Sequence, residues 1–238
     1  MPALRPTVVF ASGQLLTAEV WGPQAAALAP SYDLIFSDHG RDDTIAGMAS
    51  RLLAEAPDSF HLVAHAMGGF TAFEVMRQAP ERVASLVLIA TLAPNDGPAQ
   101  TERRQGYIRL VEDGRFEEVV EERIPILVHP ARREDAALLT VVRRMATDTG
   151  ASRFLGQQRA IMGRADSRPS LAAIAVPTLL IRGDQDGITT QAHQDEILAE
   201  IPGARLISIE DCGHLPTLEK PVSTNQILDD WLRSQTAR

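Results

Sequence analysis

An α/β fold built on a doubly wound, mostly parallel sheet follows from three features of the 238-residue sequence. Short apolar runs alternate with helical patterns, most of those runs lack the apolar/polar alternation of a half-exposed strand, and the links between them are short. Strands are predicted at 7–10, 33–36, 60–64, 85–90, 178–181 and 205–209, each four to six residues long and rich in Val, Leu, Ile and Phe. Between and after them, apolar residues recur at helical spacing over 44–56, 68–78, 190–201 and 222–234. The stretch 94–170 contains no convincing strand. Four helical patterns fill it, at 100–113, 115–124, 134–148 and 152–163, punctuated by Gly114, Pro125, Pro130 and Gly150. Their apolar residues cluster as Ile108, Leu110 and Val111, then Val119, Val120 and Ile124, then Leu138, Leu139, Val141 and Val142. Such clusters imply packing onto something. The expected organisation is therefore a core formed by 1–93 and 171–238, with 94–170 inserted as a helical cap over the C-terminal edge of the sheet, where open α/β sheets bind ligands.

Composition removes several function classes. Apolar residues make up 45% and charged residues 23%, the usage of an ordinary globular protein able to bury its own core. Cys212 is the single cysteine, so neither an internal disulfide nor a Cys-based zinc site can form. No H-E-x-x-H helix occurs, and His61 and His65 fall in a predicted strand, where residues four apart do not converge on a metal as they do on a helix. The net charge is −8 and no basic stripe is visible, which argues against nucleic-acid binding. Lys220 is the only lysine and lies in a loop-like Glu-Lys-Pro. A phosphate-binding P-loop is therefore absent, and pyridoxal chemistry is disfavoured. The longest apolar run, 83–93, is interrupted by Ser85 and Thr91 and is too short to span a bilayer. A soluble cytoplasmic protein acting on a small molecule is expected, with its oligomeric state open.

One segment carries most of the chemistry. A buried strand pattern runs into Ala64-His65-Ala66-Met67-Gly68-Gly69 and then directly into a helical pattern. Small residues at 64, 66 and 68 suit a sharp strand-to-helix turn. Further on, the strand at 178–181 is followed by Gly183-Asp184-Gln185-Asp186, and the last strand by Cys212-Gly213-His214 with Glu219-Lys220-Pro221 beyond. Taken in this order, the segments resemble the α/β-hydrolase superfamily, whose nucleophile elbow reads small-x-Ser-x-Gly. The resemblance runs from the loop at Ser12-Gly13-Gln14 to Pro221 and implies an α/β-hydrolase fold. It places Ala66 at the nucleophile position, where serine is expected. Asp186 falls at the triad acid, with Asp184 the competitor two residues earlier, and His214 at the general base. The backbone N–H groups of Met67 and Gln14 are implied as the oxyanion hole. The loop departs from the family's usual His-Gly at Ser12, which affects support of the hole rather than its backbone donors. No metal or organic cofactor is implied.

Alanine at position 66 admits three readings. It can be an inactivating replacement of serine, the natural residue of a non-catalytic ligand-binding relative, or a residue tolerated because His214 alone performs acid–base, lyase-like chemistry. Intact Asp186 and His214 favour the first. The resemblance then implies hydrolysis of a small carboxylic ester, lactone or thioester when residue 66 is serine. C–C bond hydrolysis or elimination on a small carboxylate is the enzymatic alternative. Other residues receive plainer readings. Trp21 is expected to pack, Cys212 to be a buried small side chain, and His65 to be a structural hydrogen bonder. His39, His129 and His193 show no partner in the sequence. The pairs Arg103/Arg104, Arg132/Arg133 and Arg143/Arg144 are expected on solvated helix faces, with a clamp for an anionic substrate as the sharper alternative.

Overall fold

The computed structural model describes residues 5–236. All six predicted strands form: β1 (Thr7–Ala11), β2 (Asp33–Ser37), β3 (Phe60–His65), β4 (Val83–Ile89), β5 (Thr178–Gly183) and β6 (Arg205–Ile209). They make one sheet of order β2-β1-β3-β4-β5-β6, parallel at every pairing. The order reverses direction beside β1, so the chain winds outward both ways from that point, the place at which open α/β sheets in general bind ligands, at the C-terminal ends of the strands.

Residue burial explains why the central strands read as unbroken apolar runs. Every residue of β3 and β5 is buried, whereas the edge strands β2 and β6 keep several residues accessible. Alternate residues still serve different faces. Val8, Phe10, Val63, Val87, Ile89, Leu179 and Ile181 enter one apolar cluster, and Val9, Leu62, Ala64, Leu86, Leu88 and Leu180 enter another. Both faces are covered, which hides the period of two from the sequence.

The second face packs on α2 (Ile45–Glu55), α3 (Met67–Gln78) and α7 (Gln191–Glu200), through Leu52, Phe73 and Ile197. The first packs on α1 (Gly22–Leu28), α9 (Pro221–Thr236) and helices of the segment between β4 and β5, through Leu28, Leu228 and Leu232 among others. The short α8 (Pro216–Glu219) precedes α9. In that inserted segment lie α4 (Pro98–Glu112), α5 (Phe116–Leu127) and α6 (Ala136–Met162). Gly150 breaks α6 at φ 74, ψ 165, a conformation open to glycine, so α6 is in effect the two helices the sequence suggests. Pro125 does not end α5. It sits in the last turn, where its missing N–H removes one intrahelical bond and the helix runs on for two residues. Val111, Val119, Val120, Ile124, Leu138 and Val142 are all buried in the first cluster, so the inserted helices share a core with the sheet.

Among the described residues, no helix is long and apolar enough to cross a membrane.

Candidate active site

Loops at the C-terminal ends of β1, β3, β5 and β6 converge on one cavity of about 640 Å³, lined by Gln14, Ala66, Met67 and His214 together with inserted-helix residues. Ala66 links β3 to α3 with φ 50 and ψ −112, a conformation rare for a residue bearing a Cβ and costing on the order of 1–3 kcal/mol. The surroundings hold it there. Its N–H donates to Ile89 O at 2.9 Å, and its own carbonyl accepts from Gly69 N at 2.9 Å and Thr91 Oγ1 at 2.8 Å. The turn also needs the two glycines after it. A Cβ at Gly68 would lie 2.1 Å from Ala11 O, and one at Gly69 would lie 2.2 Å from Thr91 Oγ1. Met67 opens α3, so its N–H has no intrahelical acceptor.

His214 is buried, and its Nδ1–H donates to Asp186 Oδ2 at 2.8 Å. In the uncharged ring that bond selects the tautomer with the proton on Nδ1 and leaves Nε2 as the acceptor. Asp186 also accepts from Ile188 N at 2.8 Å, Thr189 N at 3.0 Å and the Thr189 hydroxyl. Burial alone would raise its pKa; the charge and hydrogen bond of His214 and the Thr189 donors outweigh that and hold it well below the usual carboxylate range. Asp184 does a different job, accepting from Cys212 N at 3.2 Å and so bracing the histidine loop. Glu219 braces the same loop from the other side: Oε1 accepts from Gly213 N at 3.0 Å and Leu215 N at 3.1 Å, and Oε2 from His129 N at 2.6 Å. His214 N donates to Leu127 O at 3.0 Å, so the end of α5 is tied to the histidine.

The loop after β1 is supported by residues that sequence spacing does not connect. Trp21, expected only to pack, is fully buried and also donates its indole N–H to Ser12 Oγ at 2.9 Å. His39 Nδ1–H donates to Ser12 O at 3.1 Å, and burial pushes its pKa down to about 4. Leu15, at φ 60, donates its N–H to Gln157 Oε1 on α6 at 3.1 Å. Behind the elbow, His65 Nε2–H donates to His214 O at 2.7 Å; burial lowers its pKa to about 3 and keeps it neutral. Cys212 is fully buried, and burial raises its thiol pKa, in keeping with an inert small side chain.

The arginine pairs divide. Arg143 and Arg144 form exposed ion pairs with Glu121 and Glu19, and Arg132 pairs with Asp135. Arg103 and Arg133 are exposed as expected and also border the cavity, whereas Arg104 is partly buried against it, a placement that the charge pattern alone does not reveal.

Residues 29–221 match the family model described as the alpha/beta hydrolase fold. The "Putative carbamate hydrolase RutD" of Klebsiella pneumoniae is 30% identical over 250 residues, covering 95% of this chain and 91% of that protein. The pimeloyl-acyl-carrier-protein methyl ester esterase of Aromatoleum aromaticum is 24% identical over 96% of this chain and 99% of that protein. An esterase structure from Thermogutta terrifontis superposes with a TM-score of 0.89 at 24% identity, covering 98% of this chain and 91% of that one, a likeness of fold.

Proposed function

The chain belongs to the alpha/beta hydrolase fold family, and from that membership we propose that its cavity is built to hydrolyse a small carboxylic ester, lactone or thioester once residue 66 is serine. The observation that carries this reading is the buried 2.8 Å bond from His214 Nδ1 to Asp186, which leaves Nε2 as base in the cavity that Ala66 also lines. A serine hydroxyl at position 66 gives its proton to Nε2 as its oxygen attacks the scissile carbonyl. Asp186 stabilises the imidazolium that forms. The tetrahedral oxyanion accepts from the backbone N–H groups of Met67 and Gln14. Collapse expels the alcohol, which takes the proton back from Nε2; water then cleaves the acyl-enzyme by the same route. Segment 94–170 acts as a cap that bounds the acyl or alcohol group. The curated relatives named as a carbamate hydrolase and a methyl ester esterase support hydrolysis in general and leave the substrate open.

Alanine lacks the attacking oxygen, so the chain with Ala66 holds substrate without the covalent step. Loss of a triad nucleophile costs about a million-fold in kcat. The test is Ala66→Ser, assayed beside the parent on short-chain p-nitrophenyl esters. Turnover in the serine form alone is the expected result. A second reading, a ligand-binding protein without turnover, is favoured by Ala66 itself; it takes over if both forms bind ester and neither cleaves it.

A further inference from the structure

The charge of the cavity has no part in the hydrolytic step. Five guanidinium groups, those of Arg103, Arg104, Arg123, Arg133 and Arg164, line it against one carboxylate, Asp96. The whole protein carries −8, so this concentration of positive charge runs against the chain's average. Asp96 is already committed: Arg104 Nε lies at 2.5 Å and Arg164 Nη2 at 2.9 Å. Arg164 further donates to Ile161 O and Pro94 O, both at 2.8 Å, and Arg104 to Gln158 Oε1 at 3.0 Å. Those two arginines are structural, joining the start and end of the inserted segment. Arg133 donates Nε to Pro125 O at 3.0 Å and is exposed.

Arg123 stands apart. Its Nε is buried without a partner, and among the described residues no carboxylate lies within ion-pair distance of it. Its Cζ sits 5.6 Å from the centroid of the Tyr107 ring, while the Tyr107 hydroxyl donates to Glu122 at 2.8 Å. Burial, followed by repulsion from Arg104 and Arg103, lowers its pKa to about 10, so it remains charged at neutral pH. A partly buried guanidinium whose Nε has no hydrogen-bond partner, beside others of like charge, carries a cost that an arriving anion relieves.

We infer that Arg123, with the exposed Arg103 at the rim, forms a subsite for a carboxylate at the non-reacting end of the substrate, so that the preferred ligands are half-esters of small dicarboxylic acids. The planar guanidinium fork suits a carboxylate, and one uncommitted inner guanidinium matches a monoanion better than a phosphate dianion. Which end of the ligand reacts rests on the hydrolytic reading; the capture of the anion does not.

The protein with Ala66 allows affinity to be read without turnover. Calorimetric titration with monomethyl adipate and with dimethyl adipate, at low and high salt, is expected to show the half-ester binding at least ~10-fold tighter. That preference shrinks in high salt, is lost in Arg123→Gln and falls in Arg103→Gln, whose exposed site tolerates the change. Equal affinity for the two ligands, no measurable binding of the half-ester, or a preference unaltered in both variants would each overturn the subsite. In Ala66→Ser, kcat/KM on the same pair separates the two claims. Preserved binding preference with no hydrolysis removes the hydrolytic reading alone, whereas hydrolysis of both esters at equal kcat/KM removes the subsite alone.

Discussion

The floor and the roof of the cavity are built on different principles. The floor consists of loops leaving the sheet and presents backbone N–H groups and the His214 imidazole, held by bonds among Ala66, Thr91, Asp186 and His214. The roof is helical and meets the cavity with long charged side chains, of which Arg103 and Arg123 make no hydrogen bond among the described residues. A floor of that kind suits one chemical step, because its geometry is set by backbone that cannot relax independently of the sheet. Arg103 and Arg123, which make no bond to the floor, suit recognition because they can be changed without disturbing it. Besides the apolar core they share, the two regions are joined by hydrogen bonds that include Gln157 to Leu15, Leu127 to His214, Glu219 to His129 and Arg132 to Glu219.

Disabling the floor should have the largest effect. In the Ala66→Ser background, His214→Gln is expected to lower kcat by about 10⁶-fold, as loss of a triad base does, with little change in KM for a half-ester. A comparable rise in KM would mean that floor and roof are not separable. Breaking the roof at its anchor comes next. Arg164 has a side chain only 4% exposed and ties Pro94, Asp96 and Ile161 together. Arg164→Met should cost about 3 to 4 kcal/mol in chemical denaturation, because it leaves Asp96 buried with Arg104 alone. A loss within 0.5 kcal/mol would show that the inserted helices do not depend on this network.

Acid should sharpen the contrast further, since the roof's arginines do not titrate and the floor's supports do. His39 and His65 are neutral in the fold, with pKa values of about 4 and about 3 against 6.5 when unfolded. Their contribution is complete above pH 6.5 and is lost as pH falls towards those folded values, since the unfolded chain takes up protons first. For His39 the loss is no more than about 3 kcal/mol. Asp186 acts in the same direction at lower pH, because its carboxyl is depressed in the fold. Stability measured by urea titration from pH 7 to pH 4 should therefore fall, and His39→Asn should flatten the slope.

Much of the floor was legible in the sequence. Buried parallel strands leave apolar runs, and the turn after β3 demands small residues wherever backbone approaches backbone, as at Gly68. Asp186 and His214 stand at fixed offsets from the ends of β5 and β6, so their meeting follows from strand order. What supports them was not legible. Trp21, His39 and Gln157 reach the loop after β1 from 9, 27 and 142 residues away, and nothing in local spacing signals such bonds. The α1 helix was missed because Gly-Pro-Gln-Ala-Ala-Ala-Leu offers one large apolar residue and hence no period. The roof's arginines show in the sequence as charge without direction, and nothing there marks Arg123 out. A helix's charge pattern tells which residues avoid the core, not whether they face bulk water or a cavity.

If the proposed hydrolytic function holds, the surroundings of residue 66 are set for nucleophilic catalysis and only the hydroxyl is missing. Labelling Ala66→Ser with a fluorophosphonate, with the adduct located by mass spectrometry, tests that directly. One adduct per chain on residue 66, absent from the parent and suppressed by His214→Gln, is the predicted result. No adduct in a folded Ala66→Ser protein, or an adduct formed equally well without His214, would contradict it.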